Sequence, residues 1–188
     1  VAWIGRTDDD RIVNGVSAHP GQPEEVIWRS DSDRIVVVTP FSEEAQRVWA
    51  QEVCQVAKKE MRYDFQLYHE NEPPDERNLH LFLYCQDNRA VGLLLLEKRT
   101  NVCHYTWEEC DRGGGSKTRE ERDPVWTLGF VWTCRKHRRS GIATRLIHEA
   151  TRFVDSALEN MGVYTPFSKD GEALARKLFP KGFLSAKE

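Results

Sequence analysis

The chain has 188 residues, of which 39% are hydrophobic and 30% charged, and 27 Lys plus Arg against 30 Asp plus Glu leave a net charge of −3. These values fit one domain with a sizeable core and exclude a disordered tail. They also exclude a nucleic-acid binder held by bulk charge, and the longest apolar run, Val91 to Leu96, is far too short for the ~20 residues that span a bilayer.

The first residues are not expected to act as a signal peptide, because Asp8-Asp9-Asp10 follow them closely. It opens on Val rather than Met, which suggests a domain cut from a longer protein. The cysteines, at 54, 85, 103, 110 and 134, are odd in number and scattered. That pattern reads as free thiols in a reducing, intracellular compartment.

Residues 1–33 are polar and rich in Asp, Gly and Pro, and read as a loop-rich lead-in with room for a short strand. The domain proper is expected over 34–188. Arg34 to Thr39 is a β-branched run stopped by Pro40, hence a strand. Ser42 is placed to cap a helix reaching about residue 60, with Ala45, Val48, Trp49, Val53 and Val56 at helical spacing. Residues 70–78 form an acidic, Pro-containing loop, either plainly solvated or a dock for a basic protein surface. Leu79 to Cys85 and Ala90 to Leu96 predict a hairpin. Residues 107–123, charged and containing Gly113-Gly114-Gly115, predict a surface loop. Val125 to Thr133 predicts a strand, followed by the cationic turn Arg135 to Arg139 and a helix from near Ser140 that buries Leu146, Ile147 and Ala150. A short strand over 162–165, a helix after Asp170 and a last strand over 183–186 complete a mixed α/β chain.

The sharpest motif is Arg138-Arg139-Ser140-Gly141-Ile142-Ala143, of the form Arg-x-x-Gly-x-Ala, at a strand-to-helix junction. First-turn amides have no partner within the helix and carry the positive end of its dipole. Small residues at 141 and 143 let an anion approach them, and Arg135, Lys136, Arg138 and Arg139 add charge. A pyrophosphate fits; the bland alternative is a solvated basic turn. Neither a Walker nor a Rossmann glycine spacing is present.

This hexapeptide, with a predicted strand before it and helix after it, resembles the acetyl-coenzyme A motif of the GCN5-related N-acetyltransferases. Val131-Trp132-Thr133-Cys134, leading through Arg138-Arg139 to Ile142-Ala143-Thr144-Arg145-Leu146-Ile147, resembles the establishment-of-cohesion branch. So do Arg34 to Pro40, Val91 to Glu97, and the series Asp170-Gly171, Leu174-Ala175, Gly182-Phe183-Leu184, in order over 34–187. The resemblance implies an α/β (α+β) fold with a mostly antiparallel sheet, a splayed central strand and flanking helices. It implies a nuclear enzyme that transfers acetyl from acetyl-CoA to a protein lysine on the cohesin ATPase head.

The resemblance also implies the site. The pantetheine arm would pair with Val131, Trp132 and Thr133, with Trp132 walling the tunnel. The pyrophosphate would rest on Arg138, Arg139, Ser140, Gly141, Ile142 and Ala143. Thr165 and Asp170 are the candidate catalytic residues, with Asp170 first a helix cap; Glu109, Asp123 and Glu172 are further carboxylates to weigh. Two positions depart from the family: Pro166 stands where an acidic or amide residue follows the hydroxyl, and Gly129 where a serine is usual. The family's upstream zinc finger has no counterpart, since His19 is the only His or Cys before position 54. Cys103, His104 and Cys110 fit no zinc spacing, and no metal is expected. Cys54 and Cys134 read as packing residues, since attack on the thioester is direct in this superfamily. Two other readings stay open: an acetyltransferase for a small amine or a protein N-terminus, and a cofactor- or cohesin-binding module that has lost its chemistry.

Overall fold

A computed structural model describes residues 10–19, 21, 23–62, 79–113 and 120–186. In chain order its strands are β1 (Val16–Ser17), β2 (Glu25–Arg29), β3 (Asp33–Val38), β4 (His80–Gln86), β5 (Arg89–Tyr105), β6 (Glu120–Thr133), β7 (Gly162–Tyr164) and β8 (Phe183–Ala186). Besides a helical stretch over 10–14, the helices are α1 (Glu44–Met61), α2 (Trp107–Asp111), α3 (Ile142–Phe153) and α4 (Lys169–Leu178). One eight-stranded sheet runs β2-β3-β4-β5-β6-β7-β8, with β1 on β5 and a further pairing of β5 with β8. The pairs are antiparallel except β6–β7 and β7–β8, which are parallel. This is the mixed, mostly antiparallel α/β sheet flanked by helices that the sequence predicts.

The apolar runs explain the centre. Ile35 to Val38 are buried without alternation, as in a strand covered on both faces, and Leu93 to Leu96 on β5 are buried likewise. α1 packs on β3 and β5, and α3 crosses β4, β5 and β6. α3 can come so close because Gly92 has no side chain: a Cβ there would lie 2.6 Å from Ile142 Cγ2. A second cluster, Cys103, Tyr105, Val163, Ala175, Phe179 and Phe183, lies under α4 with Trp107 and Phe167 against it.

Several boundaries differ from the sequence reading. The 1–33 lead-in supplies β1 and β2 to the sheet. Ser42 does not cap α1; Glu43 holds that position without a side-chain bond, and Ser42 Oγ instead accepts from the Thr39 N–H at 2.9 Å. Ala45 and Val48 are exposed, and the buried stripe is Gln46, Trp49, Ala50, Val53, Cys54, Val56 and Ala57. The predicted loop over 107–123 holds α2 at one end, with a Thr106–Glu109 capping box, and the start of β6 at the other. Ser168, not Asp170, caps α4, its Oγ accepting from the Gly171 N–H at 3.1 Å. The acidic loop 70–78 and residues 114–119 lie outside the described residues.

Candidate functional site

The site begins where two strands part. β6 and β7 share register only at Thr127↔Gly162 and Leu128↔Val163. Beyond Leu128 they diverge, while β6 stays paired with β5 to Gly92↔Thr133. A bulge sits at the parting: Leu95 faces Phe130 and Leu96 faces Leu128, so Gly129 is the extra residue. The gap opens into a cavity of about 200 Å³ whose walls include Gly129, Phe130, Val131, Tyr164, Pro166 and Leu174. A strand edge without a partner strand offers amides and carbonyls to an extended chain. An arm containing amides, such as pantetheine, therefore fits beside Val131.

The same strand delivers that chain to an anion site. After Thr133 comes a short 3-10 turn over Arg135–His137, then Arg139 at φ 63° and Gly141 at φ 85°, both left-handed. Gly141 is the residue before α3, and nothing lies within 4 Å of where a Cβ would sit there, so space is left in front of the helix. The first intrahelical bond runs from the Arg145 N–H to the Gly141 carbonyl at 2.9 Å, which leaves the amides of Ile142 and Ala143 directed out of the helix. Ser140 Oγ donates to the His137 carbonyl and tightens the turn. Lys136 and Arg139 are exposed beside it. Open amides at a helix start beside exposed cations are groups suited to a pyrophosphate.

Two expected cofactor residues have protein partners of their own. Trp132 does not wall the cavity; it is buried, and its Nε1 donates to Glu60 Oε2 at 2.7 Å. Arg138 donates from Nε to the Thr133 carbonyl at 3.1 Å and pairs through Nη2 with Glu60 Oε1 at 2.7 Å. Arg135 Nε reaches the same Glu60 oxygen at 2.7 Å. Burial alone would push the Glu60 carboxyl up, but the bonds from Trp132 and Arg135 and the charges of Arg138 and Arg135 hold it below the usual carboxylate value. The motif did not single out Glu60. The available signal was periodicity, since it follows Trp49, Val53 and Val56 on the buried stripe of α1.

At the other end of the gap the polar groups are hydroxyls. Tyr164, on the cavity wall, has its hydroxyl bonded by Arg99 Nε, and the Arg99 guanidinium lies 5.1 Å from its ring centre. Arg99 Nε in turn lies 3.3 Å from the buried Glu97 carboxylate. Thr165 Oγ1 and Ser185 Oγ are 2.8 Å apart. Both line a second cavity of about 420 Å³ with Tyr105, Cys110, Phe167, Glu172 and Phe183, and Pro166 and Phe167 belong to both cavities.

Asp170 is not brought to the site: it is exposed in the first turn of α4 and lines neither cavity. Glu109 is held in the α2 capping box, its Oε2 accepting from the Thr106 N–H at 2.8 Å. Asp123 is exposed on β6. Glu172 reaches the second cavity but pairs with Arg176 at 2.8 Å. Burial pushes the Cys54, Cys85 and Cys134 thiols up, which keeps them protonated and makes them poor nucleophiles. No group of three or more His, Cys, Asp or Glu among the described residues is arranged to hold a metal, and no described helix is long and apolar enough to cross a membrane.

The sequence profile of the acetyltransferase (GNAT) family matches residues 43–179. No curated protein matches the chain. Among solved structures, the xEco2 acetyltransferase domain bound to a K105-CoA conjugate shares the fold with a TM-score of 0.68 at 20% identity, over 88% of this chain and 98% of that one. A second structure of the xEco2 acetyltransferase domain gives 0.64 at 17% identity, over 88% and 96%.

Proposed function

The chain belongs to the acetyltransferase (GNAT) family, which makes it an N-acetyltransferase that takes acetyl-CoA, and we propose that its acceptor is a protein lysine on the cohesin ATPase head, modified in the nucleus. On this reading the acetyltransferase domain takes in residues 34–188, with β2 of the 1–33 stretch as its edge strand. The observation that carries it is the continuity of the site: the β6 edge beyond Leu128 runs directly into the cationic turn and the amides of α3. The choice of acceptor is supported by the sequence resemblance over 34–187 and by the fold shared with the xEco2 domain, whose bound conjugate joins a lysine to CoA.

Acetyl-CoA supplies the acetyl group as a thioester. In the proposed arrangement the β6 backbone near Val131 holds the carbonyl, and donors fixed in place stabilise its oxygen as charge grows there. Arg139, Ser140, Gly141, Ile142 and Ala143 hold the phosphates. The acceptor amine must be neutral to attack, although a free lysine has a pKa of ~10.4. Thr165 and Ser185, which line the second cavity next to the shared wall of Pro166 and Phe167, orient that amine. Tyr164, oriented by Arg99, holds a proton where a leaving group departs. The carboxylate absent at Pro166 is thus offset by a hydroxyl network, and proton removal runs through water rather than through one strong base.

The test is an acceptor comparison with labelled acetyl-CoA. A cohesin-head fragment, a small diamine and a peptide with a free N-terminus are offered in parallel. Label on a head lysine is expected. Label confined to the diamine or the N-terminus overturns the acceptor, and cofactor binding without transfer to any of them overturns the arrangement of the transfer residues.

A further inference from the structure

We propose that Glu60 is the positioning residue of the phosphate-binding turn, and that Arg138 is its brace rather than a phosphate ligand. The phosphates then fall to the α3 amides, Lys136 and Arg139. This inference rests on the acetyl-CoA reading of the turn.

Glu60 lies in the last turn of α1, far from the motif in sequence, with its side chain 4% exposed. Its two oxygens accept Trp132 Nε1, Arg135 Nε and Arg138 Nη2, each at 2.7 Å. One carboxylate thus gathers the last core residue of β6 and two residues of the turn. Arg138 has a second commitment, through Nε to the Thr133 carbonyl at 3.1 Å. Its planar fork is closed between the end of β6 and Glu60, an arrangement suited to holding backbone in place.

The turn needs such a hold. Arg139 and Gly141 are both left-handed, a conformation that a residue other than glycine keeps only when its surroundings impose it. The Glu60 contacts clamp the start of the turn, and the α3 helix fixes its end. Between them the open amides are kept in the position an anion requires, before the anion arrives.

The proposal makes a prediction of sign. A carboxylate beside a polyanion site repels the ligand, so simple charge counting says that neutralising Glu60 strengthens binding. A positioning role says the reverse. In Glu60→Gln the side chain keeps its shape and an acceptor for Trp132 but loses the charge that holds both arginines. Calorimetry with CoA is expected to show a dissociation constant raised about tenfold, the size of losing hydrogen bonds to a charged group. The KM for acetyl-CoA rises in step while kcat stays within about twofold. The KM for S-acetylpantetheine, which has no pyrophosphate, is unchanged. Glu60→Gln with Arg138→Ala together weaken CoA binding no more than either alone, because both break one brace, whereas Arg139→Ala adds to either.

Tighter or unchanged CoA binding by Glu60→Gln overturns the proposal. So does an equal loss for CoA and S-acetylpantetheine, which marks general damage to the fold. Full additivity of Glu60→Gln with Arg138→Ala overturns the brace and returns Arg138 to the phosphates. Absence of CoA binding by the unsubstituted chain overturns the acetyl-CoA reading itself, and this proposal with it.

Discussion

Around the turn from Cys134 to Gly141, Arg135 and Arg138 are tied to a carboxylate that is almost fully buried, and the open groups are helix amides. Around Tyr164 and Thr165, at the far end of the same gap, the hydroxyls are bonded to each other or to Arg99, and the nearby carboxylates Glu97 and Glu172 are paired with Arg99 and Arg176. The first region is charged; its turn and open amides lie in one short stretch of sequence, and Glu60 reaches it from α1. The second is assembled from β5, β7 and β8, and has no carboxylate among the residues lining the splayed cavity. On the proposed reading the difference teaches that donor binding and transfer are separable: affinity is expected to follow charge and backbone at one end, and rate to follow hydroxyl placement at the other.

The strongest way to break the first region is Gly141→Asp. It puts a carboxylate against the phosphates at a left-handed residue, and CoA affinity is expected to fall by about a hundredfold or more. Gly141→Asn, neutral and tolerant of the left-handed region, should lose less than about tenfold. Equal losses in calorimetry would assign the effect to backbone instead of charge.

At the second region, Tyr164→Phe should lower kcat about 10- to 100-fold and leave the KM for acetyl-CoA within about threefold. A raised KM with unchanged kcat would place Tyr164 in donor binding and blur the separation. Thr165→Val and Ser185→Ala should each lower kcat by up to about tenfold, the scale of one hydrogen bond, and together do no worse than one alone. Steady-state kinetics on the three variants reads this directly.

The smallest effect is in pH. The Glu60 carboxyl is held below its ordinary value of 4.5 in the folded protein. The fold therefore favours its ionised form. The resulting stability is complete above the unfolded value and is lost as pH falls through the folded one. Thermal melting of the unsubstituted chain should thus lose stability relative to Glu60→Gln as the pH is lowered below about 4.5. A gap between the two that stays constant to low pH would mean that the charge on Glu60 does not hold the turn.

The same contrast governs what could be read in the sequence. Arg138 to Ala143 is contiguous, so its chemistry is written in one stretch, and β3, the β4–β5 hairpin, β6 and α3 declare themselves by runs and periods that long elements repeat many times. Short elements do not repeat. Ser42 and Asp170 both look like caps, yet Ser42 Oγ is taken by Thr39, and Ser168 holds the cap position of the helix whose first turn contains Asp170. Residues 107–123 read as loop because they are charged and contain Gly113-Gly114-Gly115, although Thr106 and Glu109 form a capping box at their start. Glu60 and Ser185 were out of reach of motif reasoning altogether, since each meets its partners across a long stretch of chain.

One pairing has a consequence for synthesis. β8 closes the sheet by lying against the far end of β5, Phe183 opposite Tyr105 and Ser185 opposite Cys103, and against β7. These partners are widely separated along the chain, and such closures are slow to form. Synthesis runs through α1, β5, β6 and α3 before it reaches β8, so the residues of the donor end are made before Ser185 is added. On the proposed reading the donor binds the folded state and not the unfolded one, so acetyl-CoA is also a folding ligand of its own enzyme.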